Sequence, residues 1–231
     1  MSNKQKQEEE SKKIVIGIPH TGTLYTDVAL SLFKMRSRHA INIQMLKSSI
    51  LYISRENLVS AAFHFNADYI MFLDSDQTIE PDTVDRMAQH LINGEDIVTA
   101  LIFRKDPPFQ PCIFKSQKEL PNHQIALEYY DVDTQDLTKP FYVESCGLGC
   151  AMIKLDVFKN INQPWFLPRP YTGEDIAFMW DVKQKGYKIL CDPTINIGHY
   201  GIKNFTRDDY LKVIEDENRL LNGSVTPEVY L

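Results

Sequence analysis

No run of about 18 apolar residues occurs in this 231-residue chain, so nothing in it reads as a spanning helix. The first residues also lack the apolar stretch of a signal peptide, and the expectation is a soluble, cytoplasmic protein. Positive charge is not in excess either. With 25 Lys and Arg against 31 Asp and Glu, the net charge is −6, which argues against a nucleic-acid surface. It leaves room for a local basic pocket that takes a nucleotide diphosphate. Cysteine is scarce: Cys112, Cys146, Cys150 and Cys191 fall in no zinc-like pair spacing, and free thiols are the simplest reading. A chain of this length buries enough core to do without disulfide staples. Internal repeats and obvious linkers are absent too. Residues 1–13, MSNKQKQEEESKK, are nearly all polar and are expected to be a disordered tail, leaving 14–231 as a single domain.

What is present is organised around residues 67–77, ADYIMFLDSDQ. The apolar run from Tyr69 to Leu73 does not alternate, as expected of a strand buried on both faces of a sheet. It stops at Asp74-Ser75-Asp76 because unpaired charge is too costly to bury. Two carboxylates then stand at the carboxyl end of a central strand, where open α/β sheets bind ligands. Acids one residue apart can share a hard divalent cation, although a turn or helix cap explains the same pattern.

In chain order, 13–18 reads as a first buried strand stopped by Pro19. The next loop, with His20, is a candidate ligand loop leading to a helix over 26–38. A second strand at 41–46 precedes a helix with Ser54 as its cap and Leu58, Ala61, Ala62 and Phe65 on one face. Arg55 and Asn57, in the first turn, are expected at the surface. Pro81 suits the first position of a third helix, and 96–103 forms another apolar strand. The β-α-β-α-β-α-β order predicts a mostly parallel sheet. Residues 112–144 read as short strands, a candidate pocket rim, followed by the glycine-bearing loop ESCGLGC. The loop at 164–170 carries aromatics expected to lean outward, and Glu174-Asp175 opens a helix. Two short strands follow, the second ending in Gly198-His199-Tyr200-Gly201, and a last amphipathic helix is expected over 207–221.

Three stretches in order, FLDSDQTIEP, ESCGLGCAMI and GEDIAFMWDVKQKGYKILCDPTINIGHYG, resemble metal-dependent nucleotide-sugar glycosyltransferases of the GT-A fold. The resemblance is closest to the large inverting group and its small bacterial and viral allies, and it covers roughly residues 14–203. It implies an α/β fold with a mostly parallel central sheet and a small strand-rich insertion. It further implies Asp76 as direct metal ligand, Asp74 as a water-bridged or ribose-touching partner, and His199 as the residue closing the metal site. Gly147 and Gly149 would wall the donor sugar, and Pro19, His20 and Arg55 would lie on the nucleotide side. Lys203 would meet the diphosphate, and Glu174-Asp175 would face the acceptor, with Asp175 as catalytic base. Mn²⁺, or Mg²⁺ in its place, suits two carboxylates and an imidazole. The partners implied are a nucleotide sugar and a carbohydrate or glycoconjugate acceptor.

Two features depart from the pattern. The loop after the first strand lacks the usual asparagine-rich start, and no Asp-Asp-Gly-Ser segment ends the second. The donor base is therefore left open, as is the oligomeric state. Two other readings stand beside transfer with inversion. A sugar-phosphate nucleotidyltransferase would need Arg and Lys in the loop IPHTGTLYTDVALS, which has neither. A non-catalytic nucleotide- or carbohydrate-binding domain would share the fold.

Overall fold

The computed structural model describes residues 11–105 and 108–201. The chain separates into two units, 1–200 and 201–231, and the second lies outside the described residues apart from Gly201. The expected last helix and Lys203 fall there.

Within the first unit, β1 (Lys13–His20), β2 (Ala40–Lys47) and β3 (Tyr69–Leu73) are parallel neighbours. They alternate with α1 (Thr26–Lys34) and α2 (Leu51–His64). Then come β4 (Gln77–Ile79), α3 (Thr83–Ile92) and β5 (Ile97–Ala100). The insertion supplies β6 (Ile113–Glu119), β7 (Ile125–Tyr129), β8 (Phe141–Val143) and β9 (Ser145–Cys146). β10 (Cys150–Lys154), α4 (Leu155–Lys159), α5 (Glu174–Gln184), β11 (Ile189–Asp192) and β12 (Ile197–His199) complete the order. The main sheet runs β2-β1-β3-β10-β5-β11-β8, with β10 and β8 antiparallel to their neighbours. β10 thus separates β3 from β5. The alternating β-α order could not announce this insertion, since β10 arrives fifty residues later in the chain.

All five residues of β3 are buried. Tyr69, Met71 and Leu73 pack with Val84, Met87 and Leu91 of α3, while Ile70 and Phe72 pack with Leu58 and Ala62 of α2 and with Phe158 and Phe178. Each such side chain stabilises by roughly 1.5–3 kcal/mol when fully buried, which leaves no place for a carboxylate before residue 74. The free thiols expected of all four cysteines are present. No helix among the described residues is long and apolar enough to cross a membrane.

Several local expectations are corrected. α1 ends at Lys34, with Met35 closing its last turn. Ser54 does not cap α2 but lies within it, its hydroxyl turned back to the Ile50 carbonyl, and Ile50 precedes the helix. Phe65 is exposed at the end of that helix. α3 starts after Asp82, two residues beyond Pro81. β1 starts at Lys13, as read for the first strand, so the polar tail ends one residue earlier than 1–13; Asp68 accepts a hydrogen bond from the Lys13 backbone N–H at 2.7 Å.

Candidate active site

The carboxyl ends of β1, β2 and β3 open onto a cleft of about 220 Å³. Pro19, His20 and Thr21 line it from the end of β1, Ser48 and Ser49 from the β2–α2 connection, Leu51 and Ser54 from the first turn of α2, and Asp74, Ser75 and Asp76 from the turn after β3. The parallel register that pairs His20 with Lys47 brings the first two loops level. Pro19, His20 and both acids were legible in the sequence. The serines were not, since a serine pair between strand and helix looks like an ordinary turn.

Asp74 is positioned by backbone and arginine. Its N–H donates to the Gly149 carbonyl at 2.8 Å, and its Oδ1 accepts from Arg55 Nη2 at 3.1 Å. Arg55 was expected at the surface. It is instead 2 % exposed, beneath the site, over the Phe72 ring. Its Nε pairs with Glu174 Oε1 at 3.2 Å and its Nη1 reaches the Leu148 carbonyl at 3.3 Å. One guanidinium therefore joins the acid of β3 to the first acid of α5. Its fork of donors suits such a junction, which a lysine could not reproduce. Burial pushes the Asp74 carboxyl up from its ordinary value, Arg55 pulls it down, and Asp76 and Glu174 push it up again.

Asp76 has different company. Lys105 Nζ stands 2.5 Å from its Oδ2, and His199 Nε2 stands 3.6 Å from the same oxygen. Burial favours the neutral acid, but the hydrogen bonds from His199 and Lys105 outweigh it and hold the carboxyl down at about 2. His199 is raised, chiefly by Asp76. Its Nδ1 lies 2.7 Å from the Phe103 carbonyl. Donation there commits the Nδ1 proton, so Nε2 carries the second proton toward Asp76 when the ring is charged and a lone pair when it is neutral. Metal-binding histidines are oriented in this way, by an N–H given to a second partner.

The strand that delivers His199 depends on a glycine. β12 pairs with β4 so that His199 is opposite Gln77 and Gly198 opposite Thr78. A Cβ on Gly198 would collide with Thr78 Oγ1. Tyr200 then ties the strand end down: its N–H donates to the Asp76 carbonyl at 2.8 Å and its ring stacks on Tyr25. Gly198→Ala should therefore destabilise by about 1–3 kcal/mol, the usual cost of overpacking. Thermal melts should show the loss largely relieved in Gly198→Ala/Thr78→Ala.

Gly147 and Gly149 were expected to wall the donor sugar, and the structure gives the two different surroundings. Gly149 is buried against the Gln77 side chain, where a Cβ would overlap it, and its carbonyl fixes Asp74. Gly147 is half-buried, with Asp175 Oδ2 3.6 Å from where its Cβ would be. Asp175, at the start of α5, is half-buried and accepts a hydrogen bond from the Ile176 N–H at 2.8 Å. Burial and then the neighbouring Glu174 push its carboxyl up to about 6, against the pull of Arg55.

The aromatics of 164–170 do not lean outward. Trp165 is 5 % exposed, its Nε1 donating to the Phe158 and Ile161 carbonyls, and Phe166 is fully buried beside Phe72 and Phe178. With its one polar atom satisfied, a tryptophan enters a core readily. Tyr171, four residues before Asp175, is 88 % exposed. The insertion packs against the same helix: Phe114 and Ile125 form a small core with Ile176, flanked by Trp180.

Among the described residues, no three His, Cys, Asp or Glu side chains already stand as ligands about one point. The donor chemistry nevertheless fits a hard cation. Four carboxylates (Asp74, Asp76, Glu174 and Asp175) meet two permanent cations, Arg55 and Lys105, and an ammonium rests on Asp76. Carboxylates outnumber permanent cations here, and an oriented imidazole nitrogen faces Asp76.

Residues 52–161 match the family described as Glycosyl transferase family 2. The match contains Arg55, Asp74, Asp76 and the glycine loop, and stops before Glu174, Asp175 and His199. The chain is similar to the mannan polymerase complex subunit MNN9 of Candida albicans, 23% identical over 196 residues, covering 71% of this chain and 52% of that protein. It spans about half the length of that relative. In structure it is similar to A197 from STIV, with a TM-score of 0.61 and 18% identity, covering 83% of this chain and 86% of the other. GalNAc-T7, solved with UDP, GalNAc and Mn²⁺, has a TM-score of 0.60 and 13% identity, covering 90% of this chain and 48% of its own.

Proposed function

We propose that this GT-A fold glycosyltransferase transfers a sugar, with metal assistance and inversion, from a nucleotide-diphosphate donor to an acceptor hydroxyl. The observation that supports it most is the division of the acids. Asp76 is held ionised by His199 and Lys105 at the cleft, whereas Asp175 is lifted to about 6 across the Arg55 junction. One carboxylate is poised to stay charged beside a cation. The other is poised to take a proton, the separation of duties expected of an acid–base site.

In this reading Asp76 and His199 hold Mn²⁺, or Mg²⁺, with Asp74 as outer partner. The bound cation supplies Lewis-acid stabilisation of the departing nucleoside diphosphate. Pro19, His20, Ser48 and Ser54 receive the nucleotide, and Gly147 keeps the path beside Asp175 open. Asp175 accepts the acceptor proton as its oxygen attacks the anomeric carbon from the face opposite the leaving group. Glu174, paired with Arg55, tunes that base, and the exposed Tyr171 ring offers an acceptor sugar a surface. The single domain over 14–231 and a cytoplasmic setting, in keeping with four free thiols, belong to the same proposal.

The test is donor binding by calorimetry with and without Mn²⁺, beside nucleotide release from a panel of nucleotide sugars. Asp76→Asn should keep its melting temperature and lose most metal-dependent affinity. Unchanged affinity in that variant removes Asp76 from the metal site. Pyrophosphate release would identify a nucleotidyltransferase, and binding without turnover against any acceptor would favour a non-catalytic domain.

A further inference from the structure

Lys105 lies five residues beyond β5, where no sequence pattern marks it. Its ammonium contacts Asp76 Oδ2 at 2.5 Å and faces the Tyr200 carbonyl at 3.4 Å. A carboxylate oxygen and a backbone carbonyl are also what a hard divalent cation takes as ligands. His199 Nε2 approaches the same Oδ2 from its own strand. The ammonium thus occupies ground that a metal on Asp76 needs. We propose that Lys105 is an exchangeable counter-ion, holding Asp76 in the metal-free protein and moving its charge to the donor diphosphate when the divalent cation binds.

This rests on reading the cleft as a metal–nucleotide site, and three observations support the exchange. First, Lys105 and His199 approach the same oxygen of Asp76, so a metal taken on Oδ2 beside His199 meets the ammonium there, and repulsion between the two cations favours its release. Second, the release is cheap: the Lys105 side chain is 40 % exposed, and ion pairs at such positions contribute little. A lysine is also a hydrated point charge on a flexible stem, suited to moving between partners. Third, the leaving diphosphate requires a mobile cation that Arg55 cannot supply. Arg55 is buried and committed to Asp74, Glu174 and the Leu148 carbonyl. A released Lys105 remains beside the cleft lined by Asp74, Ser75 and Asp76, where the two carboxylates would otherwise repel a diphosphate.

The exchange predicts effects of opposite sign from one substitution. In the full-length protein, Lys105→Met should bind Mn²⁺ alone about three- to fivefold more tightly, because a competitor for Asp76 is gone. The same variant should bind UDP or GDP, in saturating Mn²⁺, about tenfold more weakly, for want of a charge-assisted contact. Titration calorimetry measures both, Lys105→Gln repeats the test with a polar side chain, and thermal melts confirm folding. Affinities that are unchanged, or that fall together, overturn the proposal while leaving the metal–nucleotide reading standing. A wild-type protein that binds neither Mn²⁺ nor either nucleotide overturns both.

Discussion

Replacing Asp175 by Asn is expected to slow sugar transfer by at least about 10²-fold, with donor and Mn²⁺ affinity close to wild type. The magnitude is that of losing a positioned general base, and Asn preserves the shape beside Gly147. The wild-type pH profile should carry the same signature. With its carboxyl lifted to about 6, Asp175 is protonated and inactive below that value, so transfer should rise through pH 6 and level off above it. In Asp175→Asn this limb should disappear from the residual rate. Stability should run the opposite way. A carboxyl raised in the folded state is favoured while protonated, so its contribution is present below its ordinary value near 3.8 and lost as pH rises through about 6. Asp175→Asn should therefore melt at or above the wild-type temperature at pH 8, as expected of a base kept at some expense to the fold. Transfer kinetics beside calorimetry and melts at pH 5 and 8 check all three. Near-normal transfer in the variant would remove Asp175 as base and favour retention of configuration.

Arg55→Met is expected to destabilise the protein by about 3–5 kcal/mol, the range for breaking a buried ion pair by removing one partner. The methionine fills part of the space over Phe72 but leaves Glu174 and Asp74 without their shared cation. Glu174 is the more buried of the two, its side chain 14% exposed against 33% for Asp74, and it should account for most of the loss. Urea denaturation of Arg55→Met, Glu174→Gln and the double variant tests this directly. The double variant should recover a substantial part of the loss, because it removes the stranded charge as well as its partner. Strict additivity would mean that the Arg55–Glu174 contact carries no energy of its own. Donor binding should fall in Arg55→Met even where the protein is folded, since Asp74 loses the contact that aims it.

The positions of the acids were legible because charge and burial exclude one another. A row of five apolar residues followed by Asp74 reads as a covered strand with its carboxylates at the edge, and the helix dipole placed Asp175 at a helix start. The role of Arg55 was hidden for the complementary reason. An arginine in the first turns of a helix is normally solvated, and its two acidic partners lie 19 and 119 residues away in the chain. Trp165 was misjudged because sequence does not reveal that two backbone carbonyls wait to accept its indole N–H. Lys105 was missed because nothing local distinguishes a lysine in a loop.

By itself the sequence determined the main strands and helices up to β5, the absence of a disulfide framework, the edge position of Asp74 and Asp76, and the acids that open α5. These follow from local rules: periodicity, the cost of burying charge, and the helix dipole. The tertiary structure decided which strand lies between β3 and β5, which cation each acid meets, and how far each carboxyl moves from its ordinary value. Those outcomes depend on distances of a few ångströms between segments far apart in the chain. Electrostatic energy changes steeply over that range while local sequence does not change at all. Asp76 and Asp175 are the same residue type, one held near 2 and the other raised to about 6, and only their neighbours make them different.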